Sequence, residues 1–207
     1  MPAPCNLCGS IEHVLLFAEG PADTLGIARC CDCGLVFRNA PPSSAQTIEA
    51  YRNQSHEQVS EAWIQGRLRA FAPYAALLEK HDPCGRILDI GAGLGFFLHL
   101  CDLKGWECHG LGPSGPAAAF AQKHFDLEYT CGTLAEATYP ANHFDIITCW
   151  NVLDQLPDPK DALTRLHRLL RPGGTVLVRC PNAAFHVPVR RLSQLVTRHL
   201  PRLARLD

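Results

Sequence analysis

The chain has 207 residues, 47% of them hydrophobic, and a formal net charge of −1. The length allows one full hydrophobic core with a small appendage, and the near-zero charge excludes a global attraction to nucleic acid or to an anionic membrane. No apolar run reaches the roughly 18 residues of a membrane span, and residues 1–5 lack the basic and apolar regions of a signal peptide. We therefore expect a cytoplasmic protein without a membrane span.

Eleven cysteines are a high and odd number for a chain of this length. Because no export signal is evident, we do not expect a disulfide framework, and metal ligation together with buried thiols explains the cysteines better. Five of the eleven lie in residues 1–40, which we interpret as a separate N-terminal region.

Two knuckles with the pattern Cys-x-x-Cys-Gly lie at 5–9 and 30–34. Two residues between the cysteines let both sulfurs turn toward one ion, and the glycine relieves the tight turn that follows. We expect one structural Zn²⁺, which would stabilise a region too small for a core of its own. The predicted ligands are Cys5, Cys8, Cys30 and Cys33. Cys31 should point away, residues 13–17 and 35–37 should form ribbon strands, and reduced free thiols or a redox pair are the alternative.

A helical connector is predicted over residues 41–84. Residues 44–51 should form a short helix after a Pro-Pro-Ser-Ser linker, and residues 57–80 carry apolar side chains close to the 3.6-residue period. Tyr51 and Trp63 either roof a cofactor pocket or simply pack in the core.

Residues 85–181 alternate between strand and helix patterns, which predicts a parallel sheet covered by helices on both faces. The predicted strands are 86–90, 107–111, 128–131, 144–150 and 174–180. The predicted helices are 95–104, 114–124 and 158–170. Ser114 should cap the second helix, Pro159 should start the third, and a turn at 171–174 should end it.

The first strand of that sheet leads into a loop with glycine at every second position, Gly91, Gly93 and Gly95. A strand, a tight turn and a helix N-terminus in this order let the backbone approach a nucleotide-like ligand closely. The loop therefore predicts a cofactor site at the end of the first strand.

Five motifs mark this region. They are Leu-Asp-Ile-Gly-Ala-Gly-Leu-Gly at 88–95, Phe-Asp-Ile-Ile at 144–147, Asn-Val-Leu at 151–153, Leu-Arg-Pro-Gly-Gly at 170–174 and Pro-Asn at 181–182. With them the chain resembles class I S-adenosylmethionine-dependent methyltransferases, and more narrowly a bacterial subgroup with an N-terminal zinc-binding ribbon, often met among sugar and polysaccharide tailoring enzymes. The resemblance implies a Rossmann-like α/β sheet with strand order 3-2-1-4-5, and methyl transfer from S-adenosylmethionine to a small-molecule acceptor.

The resemblance also implies where the cofactor lies. The glycine loop would pass under its methionine and ribose parts, and Asp89 would bind its amino group, directly or through water, or would only cap the loop. Thr133 and Leu134 would hold the adenine ring, and Trp150 and Asn151 would lie where the methionine moiety meets the acceptor. The implied cofactor-binding residues are Asp89, Gly91, Ala92, Gly93, Gly95, Gly112, Pro113, Thr133, Leu134, Trp150 and Asn151.

The chain departs from the family pattern at two positions. The carboxylate that grips both ribose hydroxyls in the family falls here on Gly112, so we expect cofactor binding to be weaker by about tenfold to a hundredfold and to tighten in the Gly112→Asp variant. The Glu-His that commonly follows Asn-Val-Leu is replaced by Asp154 and Gln155. Glutamine cannot take a proton, which leaves Asp154 as the candidate catalytic acid or base.

Residues 182–207 contain no counterpart of the hairpin that closes the family's sheet. We therefore expect a C-terminally truncated fold that lacks the last two strands, about 80–100 residues shorter than its relatives. Apolar residues at helical spacing predict a basic amphipathic helix over 186–207, which could cover the sheet edge, form a homodimer or lie on an anionic surface. The predicted domains are 1–40, 41–84, 85–185 and 186–207.

Two functions stay open at this point. The intact glycine loop, Asp89 and Asn151 favour an active methyltransferase, whereas Gly112, Gln155 and the missing hairpin favour a degenerate, non-catalytic protein that serves as a binding or scaffold module. Nucleic-acid binding is not expected, because the ribbon carries few basic residues.

Overall fold

The computed structural model describes residues 3–18, 26–39, 44–52, 60–78, 85–156 and 158–199, with the backbone alone at 44–47 and 195–199. Parts of the predicted helices, at 57–59, 79–80 and 200–207, lie outside the described residues. The chain divides into two compact units: the ribbon unit comprises Met1–Pro41 together with Cys180–Asp207, and the sheet unit comprises Pro42–Arg179. Among the described residues, no helix combines the length and the hydropathy that a membrane span requires.

The ribbon unit contains a three-stranded antiparallel sheet in the order β1-β2-β3. Its strands are β1 His13–Phe17, β2 Ile27–Cys30 and β3 Val36–Arg38. The sequence predicts β1 as observed and β3 one residue too early, but it misses β2. This strand has only four residues and runs directly into the second knuckle, so its residues carry too short a pattern to be recognised.

The last helix of the chain, α6 Ala183–His199, also belongs to the ribbon unit. It begins three residues before the predicted start at 186, because Asn182 Oδ1 accepts a hydrogen bond from Ala184 N at 2.9 Å and so satisfies an open helix N–H. The guanidinium carbon of Arg190 lies 4.5 Å from the ring centroid of Phe17, a cation–π contact with β1.

The sheet unit contains a five-stranded sheet in the order β6-β5-β4-β7-β8, in which every neighbouring pair is parallel. The strands are β4 Arg86–Ile90, β5 Glu107–Gly112, β6 Glu128–Cys131, β7 Phe144–Trp150 and β8 Leu170–Arg179. The helices are α1 Ser44–Arg52, α2 Glu61–Leu77, α3 Phe96–Asp102, α4 Gly115–Phe125 and α5 Pro159–Leu169. Numbered from β4, this is the predicted order 3-2-1-4-5, which confirms the Rossmann-like α/β fold.

The helix starts follow from their caps. Ser114 Oγ accepts from Ala117 N at 3.3 Å ahead of α4, and Asp158 Oδ1 accepts from Asp161 N at 2.8 Å ahead of α5. The predicted start of α3 at Gly95 is wrong by one residue, because Gly95 has φ +80°, a left-handed conformation that a helix interior excludes.

The predicted turn at 171–174 is part of β8. Phe144 of β7 pairs with Leu170, and Ile146 pairs with Thr175, so the four residues of this Pro-Gly-Gly segment bulge opposite a single residue, Asp145. The side chain of Asp145 accepts a hydrogen bond from Arg171, which anchors the bulge and lets the strand resume its pairing.

Apolar clusters cover both faces of the sheet, as expected for a parallel sheet with helices on either side. Alternate residues of β4 point to opposite faces. Ile87 joins a cluster that includes Phe71 and Phe97, while Leu88 joins a second cluster that includes Leu166 of α5. This packing holds the carboxyl ends of β4, β5 and β7 in one rigid edge.

Candidate functional site

A cavity of about 590 Å³ opens at the carboxyl ends of β4, β5 and β7. Its volume lies in the range of pockets that hold small ligands, about 300–1,000 Å³. The chain order reverses direction between β4 and β7, and the crevice at such a switch point is where open α/β sheets bind ligands. The cavity is therefore the candidate site.

The three glycines of the predicted loop have three different roles. Gly91 has φ +70°, and a Cβ there would lie 2.4 Å from Val152 Cγ2, so this glycine leaves room for the side chain of Val152. Gly93 has φ +55° and no heavy atom within 4 Å of its Cβ position, so it leaves open space at the cavity wall. A Cβ at Gly95 would lie 2.8 Å from Leu127 Cδ1, so this glycine lets α3 pack closely on its neighbours.

Most of the implied cofactor-binding residues line the cavity. Those on its wall are Gly91, Gly93, Gly112, Pro113, Thr133, Leu134, Trp150 and Asn151. Asp89, Ala92 and Gly95 are not among its lining residues. The sequence thus indicates the edge of the sheet at which the cavity opens, but it does not separate wall residues from those that support the wall.

Asp89 lies behind the wall. Its side chain is 1% exposed, and its Oδ1 accepts a hydrogen bond from Thr148 Oγ1 of β7 at 2.7 Å. Burial raises the pKa of Asp89 to about 7, although the hydrogen bond from Thr148 lowers it. The contact of Asp89 with the cofactor's amino group stays a prediction.

Gln155 lines the cavity, whereas the predicted acid or base Asp154 is not among its lining residues. Gln155 Oε1 accepts from the hydroxyl of Tyr51 at 2.5 Å, and Gln155 Nε2 donates to the carbonyl oxygen of Asn151 at 2.6 Å. Tyr51 and Ile48 of α1 also line the cavity. Gln155 therefore links α1 to the end of β7 through these two hydrogen bonds, and its amide group cannot serve as a catalytic acid or base.

An arginine lies beside Asn151 at the end of the sheet. Arg179 Nε donates to Asn151 Oδ1 at 3.3 Å. The guanidinium carbon of Arg179 lies 5.7, 5.5 and 5.6 Å from the ring centroids of Phe71, Tyr74 and Trp150. These contacts hold Asn151, whose φ is +58°, and place a positive charge near the part of the wall formed by Trp150 and Asn151.

Tyr129 is a wall residue that the sequence analysis misses. It lies on β6, and its hydroxyl oxygen is 2.5 Å from the position that a Cβ at Gly112 would take. An aspartate at Gly112 would therefore collide with Tyr129, and the expectation that Gly112→Asp tightens cofactor binding does not hold while Tyr129 is present. A polar residue in a four-residue strand gives no sequence signal for this contact, which depends on strand pairing.

The N-terminal half of α5 and its cap add charged groups to the cavity that are not predicted from the sequence. Asp158, Asp161 and Arg165 all line the cavity. Arg165 Nε donates to Asp161 Oδ2 at 2.7 Å, one helical turn away. The cavity therefore has a mostly apolar floor at the sheet and a charged rim at α5.

A second candidate site lies in the ribbon unit. The four predicted cysteine sulfurs lie within 4.8 Å of one another. Cys5 Sγ is 3.6 Å from Cys33 Sγ, and Cys8 Sγ is 3.5 Å from Cys30 Sγ, close to the about 3.8 Å expected between two sulfurs of a tetrahedral zinc site.

The backbone of the two knuckles is nearly symmetric. Gly9 N donates to Cys5 O at 2.8 Å, and Gly34 N donates to Cys30 O at 3.2 Å. Both glycines have positive φ, +77° and +75°, as the predicted tight turns require. Cys31 is exposed and lies outside the four-sulfur cluster. The donor set and its geometry fit a closed tetrahedral metal site.

The profile of a methyltransferase domain family matches residues 55–204. This range covers more than half of the chain and includes the five-stranded sheet, the glycine loop and all of the cavity wall except Ile48 and Tyr51. The chain belongs to this methyltransferase family.

Curated relatives of the chain are methyltransferases. The ubiquinone biosynthesis O-methyltransferase of Pseudomonas syringae pv. tomato is 32% identical over 99 residues, which are 44% of this chain and 42% of that enzyme. The enzyme of the same name from Coxiella burnetii is 28% identical over 124 residues, 58% of this chain and 51% of that enzyme. The chain thus spans about half the length of the curated relatives it matches.

Solved structures share the fold. A methyltransferase of Thermotoga maritima, described as a possible histamine N-methyltransferase, is 25% identical with a TM-score of 0.51 and covers 64% of this chain and 62% of its own. A Pyrococcus horikoshii protein is 19% identical with a TM-score of 0.55 and covers 77% of this chain and 72% of its own. The second likeness concerns the fold alone.

Proposed function

We propose that the protein transfers a methyl group from S-adenosylmethionine to a small-molecule acceptor, with the cofactor in the cavity at the end of β4. The observation that carries this proposal is the cavity itself, whose wall contains Gly91 and Gly93 of a left-handed glycine loop. Methyl transfer is an in-line displacement at the carbon of a sulfonium group. It needs chiefly the correct placement of two reactants, which a rigid concave site supplies.

Each side of the cavity suits one part of the cofactor. The open space at Gly93 admits the methionine and ribose parts close to the backbone. Thr133, Leu134, Trp150 and Asn151 line the cavity; in this proposal the first two hold adenine, and the last two lie beside the methionine moiety where it meets the acceptor. S-adenosylmethionine supplies the activated methyl group, and these residues bind and orient it.

An oxygen atom is the acceptor that the relatives favour, since the curated relatives are named O-methyltransferases. A sugar or polysaccharide precursor is the narrower proposal, and it rests only on the resemblance to ribbon-containing tailoring enzymes. The acceptor would enter between the charged rim, Asp158 and Asp161, and the aromatic side at Trp150. An acceptor hydroxyl could then lose its proton to a rim carboxylate, because Gln155 cannot accept one.

The four clustered thiols support a second proposal. We infer that Cys5, Cys8, Cys30 and Cys33 bind one structural Zn²⁺ as thiolates, and that the ion leaves no open position for catalysis. Its role would be to stabilise the ribbon.

Calorimetric titration with S-adenosylmethionine tests the main proposal. We expect micromolar to sub-millimolar binding. Gly93→Leu should abolish it, because the new side chain would project into the open space at the wall. Gly173→Leu is the matched control, since Gly173 also has a positive φ, +80°, and open space, but lies off the cavity.

The outcomes separate the two functions. No heat at millimolar S-adenosylmethionine would contradict the proposal and favour the non-catalytic binding or scaffold module. Binding with equal affinity in wild type and Gly93→Leu would place the cofactor elsewhere.

A further inference from the structure

The hydroxyl of Tyr129 lies at the cavity wall, and no hydrogen-bond partner for it is found among the described residues. Tyr129 is 8% exposed. Four side-chain hydroxyls line the cavity, and the other three all have partners. These partners are Gln155 Oε1 for Tyr51, Ala117 N for Ser114 and Glu136 Oε2 for Thr133. The ring of Tyr129 is packed in the core, while its hydroxyl at the cavity wall has both its donor and its acceptor capacity available to a ligand.

Two glycines of β5 make room for the ring. Tyr129 of β6 pairs with Gly110 of β5, and a Cβ at Gly110 would lie 2.6 Å from Tyr129 Cδ2. A Cβ at Gly112 would lie 2.5 Å from the Tyr129 hydroxyl oxygen. The ring therefore lies flat along the β5 backbone and delivers its hydroxyl to the cavity beside Gly112. Any side chain at either glycine would displace it.

The hydroxyl stays protonated at neutral pH. Burial raises the pKa of Tyr129 above its usual value, and the nearby charge of Asp89 raises it further. The group can thus donate one hydrogen bond and accept another. This suits a neutral hydroxyl of the ligand better than a charged group, and the ribose hydroxyls are the neutral hydroxyls of S-adenosylmethionine.

We propose that Tyr129 binds the cofactor's ribose, with its hydroxyl in the position where the side chain of an acidic residue at Gly112 would otherwise reach. This proposal rests on the proposed function, since it requires S-adenosylmethionine in the cavity. Tyr129 is a binding and positioning residue: it exchanges no proton with the reacting atoms. Gly110 and Gly112 are then required by the tyrosine, which explains the absence of an acid at the end of β5.

The first experiment compares Tyr129→Phe with Tyr139→Phe by calorimetric titration of S-adenosylmethionine. Tyr139 is the matched control, because its hydroxyl donates to Thr130 Oγ1 at 2.9 Å and is not on the cavity wall. Tyr129→Phe keeps the ring and should weaken binding about tenfold, whereas Tyr139→Phe should leave binding unchanged. Equal affinity of Tyr129→Phe and wild type would overturn the proposal. No binding by wild type would instead overturn the proposed function.

The second experiment identifies the ligand group. S-adenosylhomocysteine and its 2′-deoxy and 3′-deoxy analogues are titrated into wild type and Tyr129→Phe. We expect wild type to lose about tenfold in affinity for at least one deoxy analogue, and Tyr129→Phe to show no such loss for that analogue. A loss of the same size in both proteins would show that Tyr129 binds another part of the cofactor.

A third experiment exchanges the two residues. Gly112→Asp alone should weaken binding, because the new side chain and the Tyr129 hydroxyl occupy one position. Gly112→Asp combined with Tyr129→Val removes the collision and should bind at least fivefold more tightly than Tyr129→Val alone. Thermal unfolding of each variant shows whether it is folded. A folded double variant that binds no better than Tyr129→Val would contradict the proposal that the Tyr129 hydroxyl lies where an acidic side chain at position 112 would reach.

Discussion

The two units of this protein bury different kinds of side chains. In the ribbon unit, a buried cluster consists of Cys5, Ala28, Cys30 and Phe37, so two of its four members are proposed zinc ligands. In the sheet unit, aromatic and aliphatic side chains cover both faces of the sheet. The ribbon unit has only 69 residues, and a unit of that size rarely gains more than a few kcal/mol from a hydrophobic core of its own, whereas a five-stranded sheet with helices on both faces buries a large core. From this comparison we expect the proposed metal to take the place of a large core in the ribbon unit, whereas side-chain packing shapes the site in the sheet unit.

Loss of a zinc ligand should have the largest effect, and only in the ribbon unit. Cys8→Ser should remove the metal and unfold the ribbon, since structural zinc binding contributes on the order of 10 kcal/mol. Metal analysis of the purified protein should give one zinc per chain in wild type and none in this variant. Cys31→Ser is the control and should retain zinc, because Cys31 lies outside the cluster. A folded wild-type protein without zinc would contradict the proposal that a metal stabilises the ribbon unit.

Truncation of a buried side chain in the core of the sheet unit should destabilise that unit without loss of zinc from the ribbon unit. Phe97 is 1% exposed, so Phe97→Ala should lower the free energy of unfolding of the sheet unit by about 3–5 kcal/mol and leave the zinc content unchanged. All three tryptophans lie in the sheet unit, so their fluorescence during urea unfolding reports on that unit. Leu103→Ala, at a side chain 69% exposed, should change stability little. Zinc loss in Phe97→Ala would mean that the two units do not unfold independently.

The buried carboxyl group of Asp89 should make the sheet unit less stable as pH rises. Its pKa is about 7 in the folded protein, against 3.8 for an ordinary aspartate, so between these values the unfolded chain releases a proton that the folded protein retains. Stability is then lost from about pH 4 to pH 7, by on the order of 4 kcal/mol. Asp89→Asn should remove this dependence, measured by urea unfolding at several pH values.

Asp145, at the opposite end of the sheet, should behave in the opposite way. Burial raises its pKa, but hydrogen bonds from Arg86 N and Arg171 outweigh burial and lower it overall. Its contribution to stability should therefore be lost as pH falls. Equal pH dependence in Asp89→Asn and wild type would contradict the assignment of the Asp89 effect.

The smallest effect should come from the cap of α4. Ser114→Ala removes the hydrogen bond from Ala117 N at 3.3 Å and should lower the free energy of unfolding of the sheet unit by about 1 kcal/mol. Urea unfolding followed by tryptophan fluorescence measures it, and Ser114→Asp, which can also cap, should restore most of the loss. A larger loss in both variants would indicate that Ser114 packs against the sheet in addition to capping α4.

The sequence predicts the clustering of the two cysteine knuckles and the strand order correctly, because both depend on local patterns. Cys-x-x-Cys-Gly is complete within five residues, and the alternation of strands and helices fixes a parallel topology. It also predicts the capping of α4 by Ser114. It misses β2, since four residues carry too little pattern, and it places the start of β8 four residues late, since pairing across the Pro-Gly-Gly bulge depends on β7.

The candidate site could be predicted only in outline. Gly91 and Gly93 are correctly expected at the wall, but Gly95 serves the packing of α3 instead. These glycines look alike in sequence, and only their neighbours in space distinguish them. For the same reason, Asp154 and Gln155 cannot be assigned from sequence, because adjacent residues of a short 3₁₀ helix point in different directions.

The sequence by itself therefore determines the features that depend on residues close together in the chain. These are the four thiols, the turn-forming glycines and the periodic apolar residues of the strands and helices. What only the tertiary structure decides is which side chains meet across strands. Tyr129 is 17 residues from Gly112 in the chain, yet its hydroxyl lies beside that glycine because β6 pairs in register with β5. Thr148 reaches Asp89 in the same way, through the pairing of β4 and β7. Register across a parallel sheet is set by the packing of the whole domain, so these contacts have no local signal.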